Sequence, residues 1–318
     1  MRLPQGAAGA RVLAFGHYQP ANVVTNDDLA KTMDTSDEWI RSRVGIAERR
    51  LASPGETVVD LAVQAGGKAL AGSGLSAADI DLVIVSSCTS ETPVPAIAPR
   101  VAHRLGVNAP GAYDINAACA GFCYALAAAS DAVRTGSATN VLIVGAERFS
   151  NWVDWTDRAT AVIFADGAGA AVVGPSDTPR IGPVVWGSAG VKADVITIEN
   201  RHSYLRQEGQ TVFRWATTAL HPIAREACER AGVDPAELDA FVPHQANLRI
   251  IDALARKLEV DKAAIARDIV QAGNTSAASI PMALSRMIER GEAPSGGLAL
   301  LFGFGAGLTY AGQVIEIP

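Results

Sequence analysis

The stretch Gly74-Leu-Ser-Ala-Ala-Asp-Ile-Asp81-Leu-Val-Ile-Val recurs in pattern as Gly232-Val-Asp-Pro-Ala-Glu-Leu-Asp239-Ala-Phe-Val-Pro. Each reads as a helix end, a turn and a strand that begins at an aspartate. Three further landmarks repeat in the same order. Asp114 leading to Cys119 pairs with Asp268 leading to Asn274, the helix ending near Gly136 with the one ending at Gly291, and Val141-Leu-Ile-Val-Gly145 with Leu298-Ala-Leu-Leu-Phe-Gly303. The offset stays at about 155 to 158 residues. Four landmarks in order predict a duplicated α/β unit, with halves at 1–178 and 179–318 whose copies face each other.

Composition agrees with such a fold. Of the 318 residues 49% are apolar and only 6% aromatic, with 30 glycines, which favours close helix–sheet packing. A net charge of −6 argues against a general nucleic-acid binder. Four cysteines, Cys88, Cys119, Cys123 and Cys228, do not make a disulfide framework, so reduced thiols in a cytoplasm are expected. Residues Met1 to Gly9 show no apolar leader, and no apolar run approaches the roughly 20 residues of a membrane span.

Along the chain, strands are expected at 11–16, 80–86, 111–116, 141–145 and 298–303. Helices are expected after an Asn26 cap and over 57–72, 99–105, 120–135, 247–258 and 276–290. Ala161–Phe164 and Gly169–Gly174 read as a hairpin around Asp166-Gly167. Pseudo-symmetry brings the ends of four of these segments to one central place. There the first copy carries Cys119 at a strand-to-helix junction, and the second carries Pro243-His244-Gln-Ala-Asn247 and Gly273-Asn274-Thr-Ser.

Read singly, each has an ordinary explanation. A cysteine in apolar sequence is usually a small buried hydrophobe. His244 reads equally as a structural histidine, and Asn274 as a helix N-cap. Their joint placement at equivalent ends of a repeat favours nucleophilic chemistry at Cys119. A helix N-terminus favours a thiolate by up to roughly 2 kcal/mol, about 1.5 pKa units. On that expectation the thiol titrates near neutrality without help from a carboxylate. Competing uses fail. Cys119 and Cys123 lack further ligands for zinc, Gly167-Ala-Gly169 has Val172 where a dinucleotide fingerprint needs its third glycine, and no phosphate-cradling Gly-Lys-Ser/Thr loop is present.

Cys119 in Ala-Ala-Cys-Ala-Gly-Phe, His244 in Val-Pro-His-Gln-Ala-Asn and Asn274 in Gly-Asn-Thr-Ser-Ala-Ala-Ser-Ile-Pro resemble β-ketoacyl-acyl-carrier-protein synthase III. The resemblance runs through nearly the whole chain, including Thr35-Ser-Asp-Glu-Trp-Ile, Asp157-Arg158-Ala-Thr and Gly303-Phe-Gly-Ala-Gly307. It implies an α/β thiolase-like fold, two βαβαβαββ halves in five α-β-α-β-α layers, as a homodimer. It also implies an acyltransferase that initiates fatty acid synthesis and needs neither cofactor nor metal, acyl-CoA being a substrate. Cys119 would take the acyl group, and malonyl-acyl carrier protein would then lose CO2. His244 and Asn274 would donate hydrogen bonds to the resulting enolate, while the N–H groups of Cys119 and Ala306 would form the oxyanion hole. Ala306 departs from an all-glycine version of that loop but keeps its N–H.

By the same resemblance Trp39, Arg43 and Arg158 would hold the CoA nucleotide, and Gly209, Phe213 and Asn247 the pantetheine. Arg214, Gln245, Arg249, Arg256 and Lys257 would dock the acidic carrier protein; the bland reading of the basic residues is a solvated helix face. Val94 stands where some relatives carry an aromatic that limits the acyl pocket across the dimer, which implies room for longer or branched primers. The stretch 196–208 is shorter than the lid-like loop of several similar sequences. The alternative activity is a starter-unit ketosynthase or acyltransferase of a polyketide or secondary-metabolite pathway. A non-catalytic carrier-binding scaffold would have lost the Cys, His or Asn, and none is lost.

Overall fold

The computed structural model describes residues 5–318; the sequence reading of Met1 to Gly9 as lacking a leader therefore falls partly outside the described residues. The first half runs β1 (Gly9–Tyr18), β2 (Asn22–Thr25), α1 (Asn26–Ala30), α2 (Asp37–Val44), β3 (Glu48–Leu51), α3 (Val58–Ser73), β4 (Leu82–Ser86), α4 (Ala98–Arg104), β5 (Gly111–Ile115), α5 (Gly121–Thr135), β6 (Val141–Arg148) and β7 (Asp166–Ser176). The second runs β8 (Val185–Ser188), β9 (Ile196–Thr197), β10 (Arg206–Gln207), α6 (Gly209–Ala231), β11 (Ala240–Pro243), α7 (Leu248–Leu258), β12 (Ala264–Ile265), α8 (Ile269–Ala272), α9 (Ser279–Glu289), β13 (Leu298–Gly305) and β14 (Thr309–Glu316).

Two five-stranded sheets result, in the orders β1-β7-β6-β4-β5 and β12-β11-β13-β14-β8. Read from opposite ends they are the same order, as duplication requires. The aspartates that mark the repeat have matching physical roles. Asp81 accepts the N–H groups of Thr139 and Asn140 at the start of β6, and Asp239 accepts that of Leu298 at the start of β13. Each carboxylate ties the first residues of two neighbouring parallel strands and sets their register.

The central strands are apolar on both faces because both faces are covered. In β6, Val141 and Ile143 pack with α5 and α9, while Leu142 and Val144 pack with α3 and α4. In β13, Ala299 and Leu301 share the first of these cores, while Leu300 and Phe302 pack with α6 and α7. The cores therefore stack as α-β-α-β-α, with α5 and α9 in the middle. Fully burying one such Ile or Leu contributes about 1.5–3 kcal/mol, so the middle layer is held from both sides.

Several expected elements differ in detail. The cap of α1 is Thr25, one residue before Asn26, because Thr25 and Asp28 close a reciprocal capping box. The hairpin around Asp166-Gly167 does not form. β7 is a central strand between β1 and β6, and 161–164 is a turn that bridges to Asn274 through Phe164. Asp166 instead accepts N–H groups of Ala52 and Ser150. The structural counterpart of Asn274 is Asn116 rather than Cys119. Each asparagine side chain accepts the N–H two residues on, from Ala118 and Ser276, and each of those adopts a left-handed φ, +45° and +48°. Asp268, aligned from sequence with Asp114, pairs with Arg286, whereas Asp114 caps α4 through the N–H groups of Ile97 and Ala98. No helix among the described residues is long and apolar enough to cross a membrane.

Candidate active site

Glycines in the two central strands let the helix starts of the two halves meet. A Cβ on Gly145 of β6 would lie 2.5 Å from the Ala277 carbonyl oxygen, and one on Gly303 of β13 would lie 2.8 Å from Ala120 Cα. Further along β13, a Cβ on Gly305 would stand 2.8 Å from Cys119 Sγ. Only glycine leaves that sulfur free at the floor of a cavity of about 960 Å³.

Cys119, His244 and Asn274 all line that cavity. Cys119 sits in a 3-10 turn, Ala118–Ala120, that runs directly into α5. Burial pushes its thiol up to about 11, and the nearby Glu147 charge adds to that, against hydrogen bonds from Ser276 and from the N–H groups of Ala306 and Cys119 itself. Desolvation, the largest of these effects, therefore opposes the easing that the sequence alone led one to expect from a helix N-terminus. Ala306, whose N–H the resemblance assigns to the oxyanion together with that of Cys119, also lines the cavity.

His244 is 2% exposed and rests edge-on against Phe304, with ring centroids 5.3 Å apart. Burial lowers its pKa to about 3, so the ring is neutral over the physiological range. Its Nδ1 meets Ser279 Oγ at 2.7 Å. That hydroxyl also accepts the Gln245 N–H at 3.3 Å. When it donates its own proton to Nδ1, the ring proton is on Nε2, the tautomer that an Nε2 donor requires. Asn274 is fixed as firmly. Its backbone pairs with Ile163 and Ala165, and its side-chain oxygen accepts the Ser276 N–H at 2.8 Å. The Nδ2 group remains as a free donor. Two neutral side chains thus share one cavity with a thiol.

The outer cavity carries the expected cations. Arg158 and Arg43 stack on Trp39, with guanidinium carbons 4.7 Å and 5.7 Å from the ring centroid, and Arg249 lies 4.8 Å over Phe213. Gly209, Phe213, Arg214 and Asn247 also line it. Asn247 does structural work as well, capping α7 and donating to the Arg43 carbonyl. Arg214, Arg249, Arg256 and Lys257 are exposed, with Lys257 reaching the Thr217 carbonyl.

Gln245 is a correction. It is 1% exposed, donates to the carbonyls of Pro243 and Ala266, and accepts the Ile269 N–H. A side chain spent inside the second half cannot meet a carrier protein. Val94 stands 80% exposed and does not line the cavity of its own chain. Ile196, Ile198 and Leu205 from the 196–208 stretch wall the cavity.

Sequence reasoning missed Ser276, Ser279, Glu147 and Cys88. Glu147 had a signal, a charge within the apolar run of β6. Cys88 had one in the polar run that ends β4, whereas the two serines lacked any beyond proximity to Asn274. Among the described residues no cluster of His, Cys, Asp or Glu is arranged to hold a metal ion.

Residues 113–190 match the family model for 3-oxoacyl-(acyl-carrier-protein) synthase III, and residues 228–317 match the model for the C-terminal part of that synthase. The chain is 56% identical over 313 residues to β-ketoacyl-(acyl-carrier-protein) synthase III 4 of Streptomyces coelicolor, covering 98% of this chain and 99% of the relative. Among solved structures, the priming β-ketosynthase of a polyketide biosynthetic pathway superposes with a TM-score of 0.96 at 44% identity, over 100% of this chain and 98% of that one. The 3-oxoacyl-(acyl-carrier-protein) synthase III of Aquifex aeolicus superposes with a TM-score of 0.93 at 42% identity, over 97% and 100%.

Proposed function

The chain belongs to the 3-oxoacyl-(acyl-carrier-protein) synthase III family, and we propose that it joins an acyl-CoA primer to malonyl-acyl carrier protein by decarboxylative Claisen condensation, initiating fatty acid synthesis. One observation carries the reading: Cys119, His244 and Asn274 line one cavity, with the Gly305–Ala306 turn against the Cys119 sulfur. Cys119 attacks the primer thioester, and the oxyanion collapses on the N–H groups of Cys119 and Ala306. After CoA leaves, the malonyl thioester oxygen lies between His244 Nε2–H and Asn274 Nδ2–H. As CO2 departs, charge moves onto that oxygen. Neutral donors suit an enolate that must still attack, and one such donor is worth about 100- to 1000-fold in rate. The enolate carbon then displaces Cys119.

Trp39, Arg43 and Arg158 would clasp the CoA nucleotide, with Gly209, Phe213 and Asn247 along the pantetheine. Arg214, Arg249, Arg256 and Lys257 would receive the acidic carrier protein, in keeping with four exposed cations on a chain of net charge −6. The halves would divide at 178/179, between β7 and β8. A cytoplasmic site agrees with four free cysteines.

A homodimer is supported by β5, an edge strand whose Tyr113 is 40% exposed, close in sequence to the exposed Val94. Pairing β5 with its copy would cover an open sheet edge and carry Val94 to the partner's acyl pocket. Sedimentation equilibrium should then read twice the chain mass, and a one-chain mass would overturn this.

The activity is tested with a panel of acyl-CoA primers, with and without malonyl-acyl carrier protein, read by mass spectrometry. A 3-oxoacyl product that needs the malonyl partner is expected. Acyl transfer alone would instead favour the starter-unit acyltransferase reading; the structural likeness to a priming ketosynthase speaks for the starter-unit ketosynthase of the same alternative. Turnover of acetyl-CoA equal to or better than that of C4–C6 primers would remove the role proposed for Val94.

A further inference from the structure

Arg49 of β3 is 0% exposed, and the mechanism above leaves it unused. Burial lowers it only to about 10, so it stays a cation at neutral pH. Its Nη1 donates to Asn26 Oδ1 at 2.8 Å and to the Val24 carbonyl at 3.3 Å, and its Nη2 donates to the Val162 carbonyl at 3.0 Å. These partners are neutral, and its Nε has none among the described residues. A buried cation that touches no carboxylate is costly, and its persistence calls for a reason.

Its partners lead to the two segments that carry Trp39, Arg43 and Arg158. Asn26, 1% exposed, opens α1 and extends the link, since its Nδ2 donates to Asp37 Oδ1 and to the Ile46 carbonyl, both at 2.8 Å. Asp37 begins α2, which carries Trp39 and Arg43. Val162 is 113 residues from Arg49 in sequence and lies in the turn that carries Arg158, where the Ala161 N–H closes on the Asp157 carbonyl at 2.9 Å. Arg158 crosses to the other segment, stacking on Trp39 and donating to the Asp34 carbonyl at 2.7 Å. Arg43 and Arg158 are themselves exposed, and long exposed side chains hold a shared geometry only at a cost in rotamer entropy. A fixed backbone beneath them reduces what must be ordered.

We propose that Arg49 is a positioning residue for the nucleotide end of acyl-CoA, tying α2 to the 157–164 turn so that Trp39, Arg43 and Arg158 stand at a fixed spacing. This rests on the assignment of those three residues to the CoA nucleotide. The planar guanidinium, with donors on both arms, spans Asn26 on one side and Val162 on the other; a lysine ammonium is a point donor and cannot span both. Arg49 does not line the cavity that holds Cys119. It does pack against the segment of Asn274, because a Cβ on Gly273 would fall 3.1 Å from its own. A role confined to that segment would be felt with every primer, whereas a role in the clasp is felt only when the primer carries a nucleotide.

The test is single-turnover acylation over a range of primer concentrations, with one acyl group carried either on CoA or on pantetheine, which lacks the nucleotide. Arg49→Lys should raise the half-saturating concentration of acyl-CoA about tenfold, the effect of misaligning two guanidinium–ring contacts. Its limiting rate, and both constants with acyl-pantetheine, should match wild type. Wild-type constants with acyl-CoA would overturn the proposal, and so would equal losses with both primers, which mark a merely structural arginine. Should Arg49→Lys fail to fold, Asp37→Ala decides alone, because that side chain is 43% exposed and its loss cuts the link at α2. Arg41→Ala, which removes the other partner of Asp37, should leave the acyl-CoA constants unchanged; a loss equal to that of Asp37→Ala would overturn the link. Equal half-saturation of the wild type by the two primers would instead remove the nucleotide assignment itself, a result distinct from failure of Arg49 alone.

Discussion

Cys119→Ser should retain no acyl group after incubation with radiolabelled acyl-CoA and should lower condensation by roughly 10⁴-fold or more. The expectation follows from the surroundings of the sulfur. Burial holds even the thiol up to about 11, and a serine hydroxyl in the same place is far less acidic. The site also has no strong base in direct contact to compensate, since the His244 ring is neutral with its Nδ1 engaged by Ser279. Substitution changes little else, because serine is the smaller residue and the space beside Gly305 stays open. Label retained on the Cys119→Ser chain would sink the nucleophile assignment.

Asn274→Ala should slow malonyl decarboxylation by about 100- to 1000-fold while altering acylation of the thiol far less. The asparagine has one group to give. Its oxygen is committed to the Ser276 N–H, its backbone is committed to Ile163 and Ala165, and only Nδ2 faces the cavity. That donor matters when charge reaches the enolate oxygen and is idle when Cys119 attacks the primer. The substitution also leaves the buried Ser276 N–H without its partner, an expected stability cost of about 1–3 kcal/mol. Acylation and decarboxylation measured separately on the same preparation distinguish the two effects. A larger loss in acylation would refute the division of labour.

Much of the fold was legible because the duplication is written locally. Aspartates at the starts of β4 and β11 do the same work in each half, so their spacing carried architectural meaning. The failed hairpin shows the limit. Residues 161–164 and 169–174 have the composition of paired strands, but β7 is claimed by β1 and β6, one before it in sequence by about 150 residues. Local pattern cannot rank a nearby partner against a distant one. The same holds for Gln245: its neighbours in sequence place it beside a basic helix, and its partners Ala266 and Ile269 draw it into the interior.

The sequence by itself determined the doubled α/β plan and the three side chains at its central crossing. Both are consequences of repeated apolar runs and of residues at the ends of strands, which local order encodes. Tertiary structure alone decided how those side chains are tuned. It buried the Cys119 thiol beside Glu147, which raises it, left Nδ2 as the free end of Asn274, and set Ser279 against His244. Each outcome rests on desolvation and on hydrogen bonds between segments far apart in the chain, such as Cys88 and Ser276, 188 residues from one another. Proton affinity depends on what surrounds a group in space, and that surrounding exists only once the two halves have closed on each other.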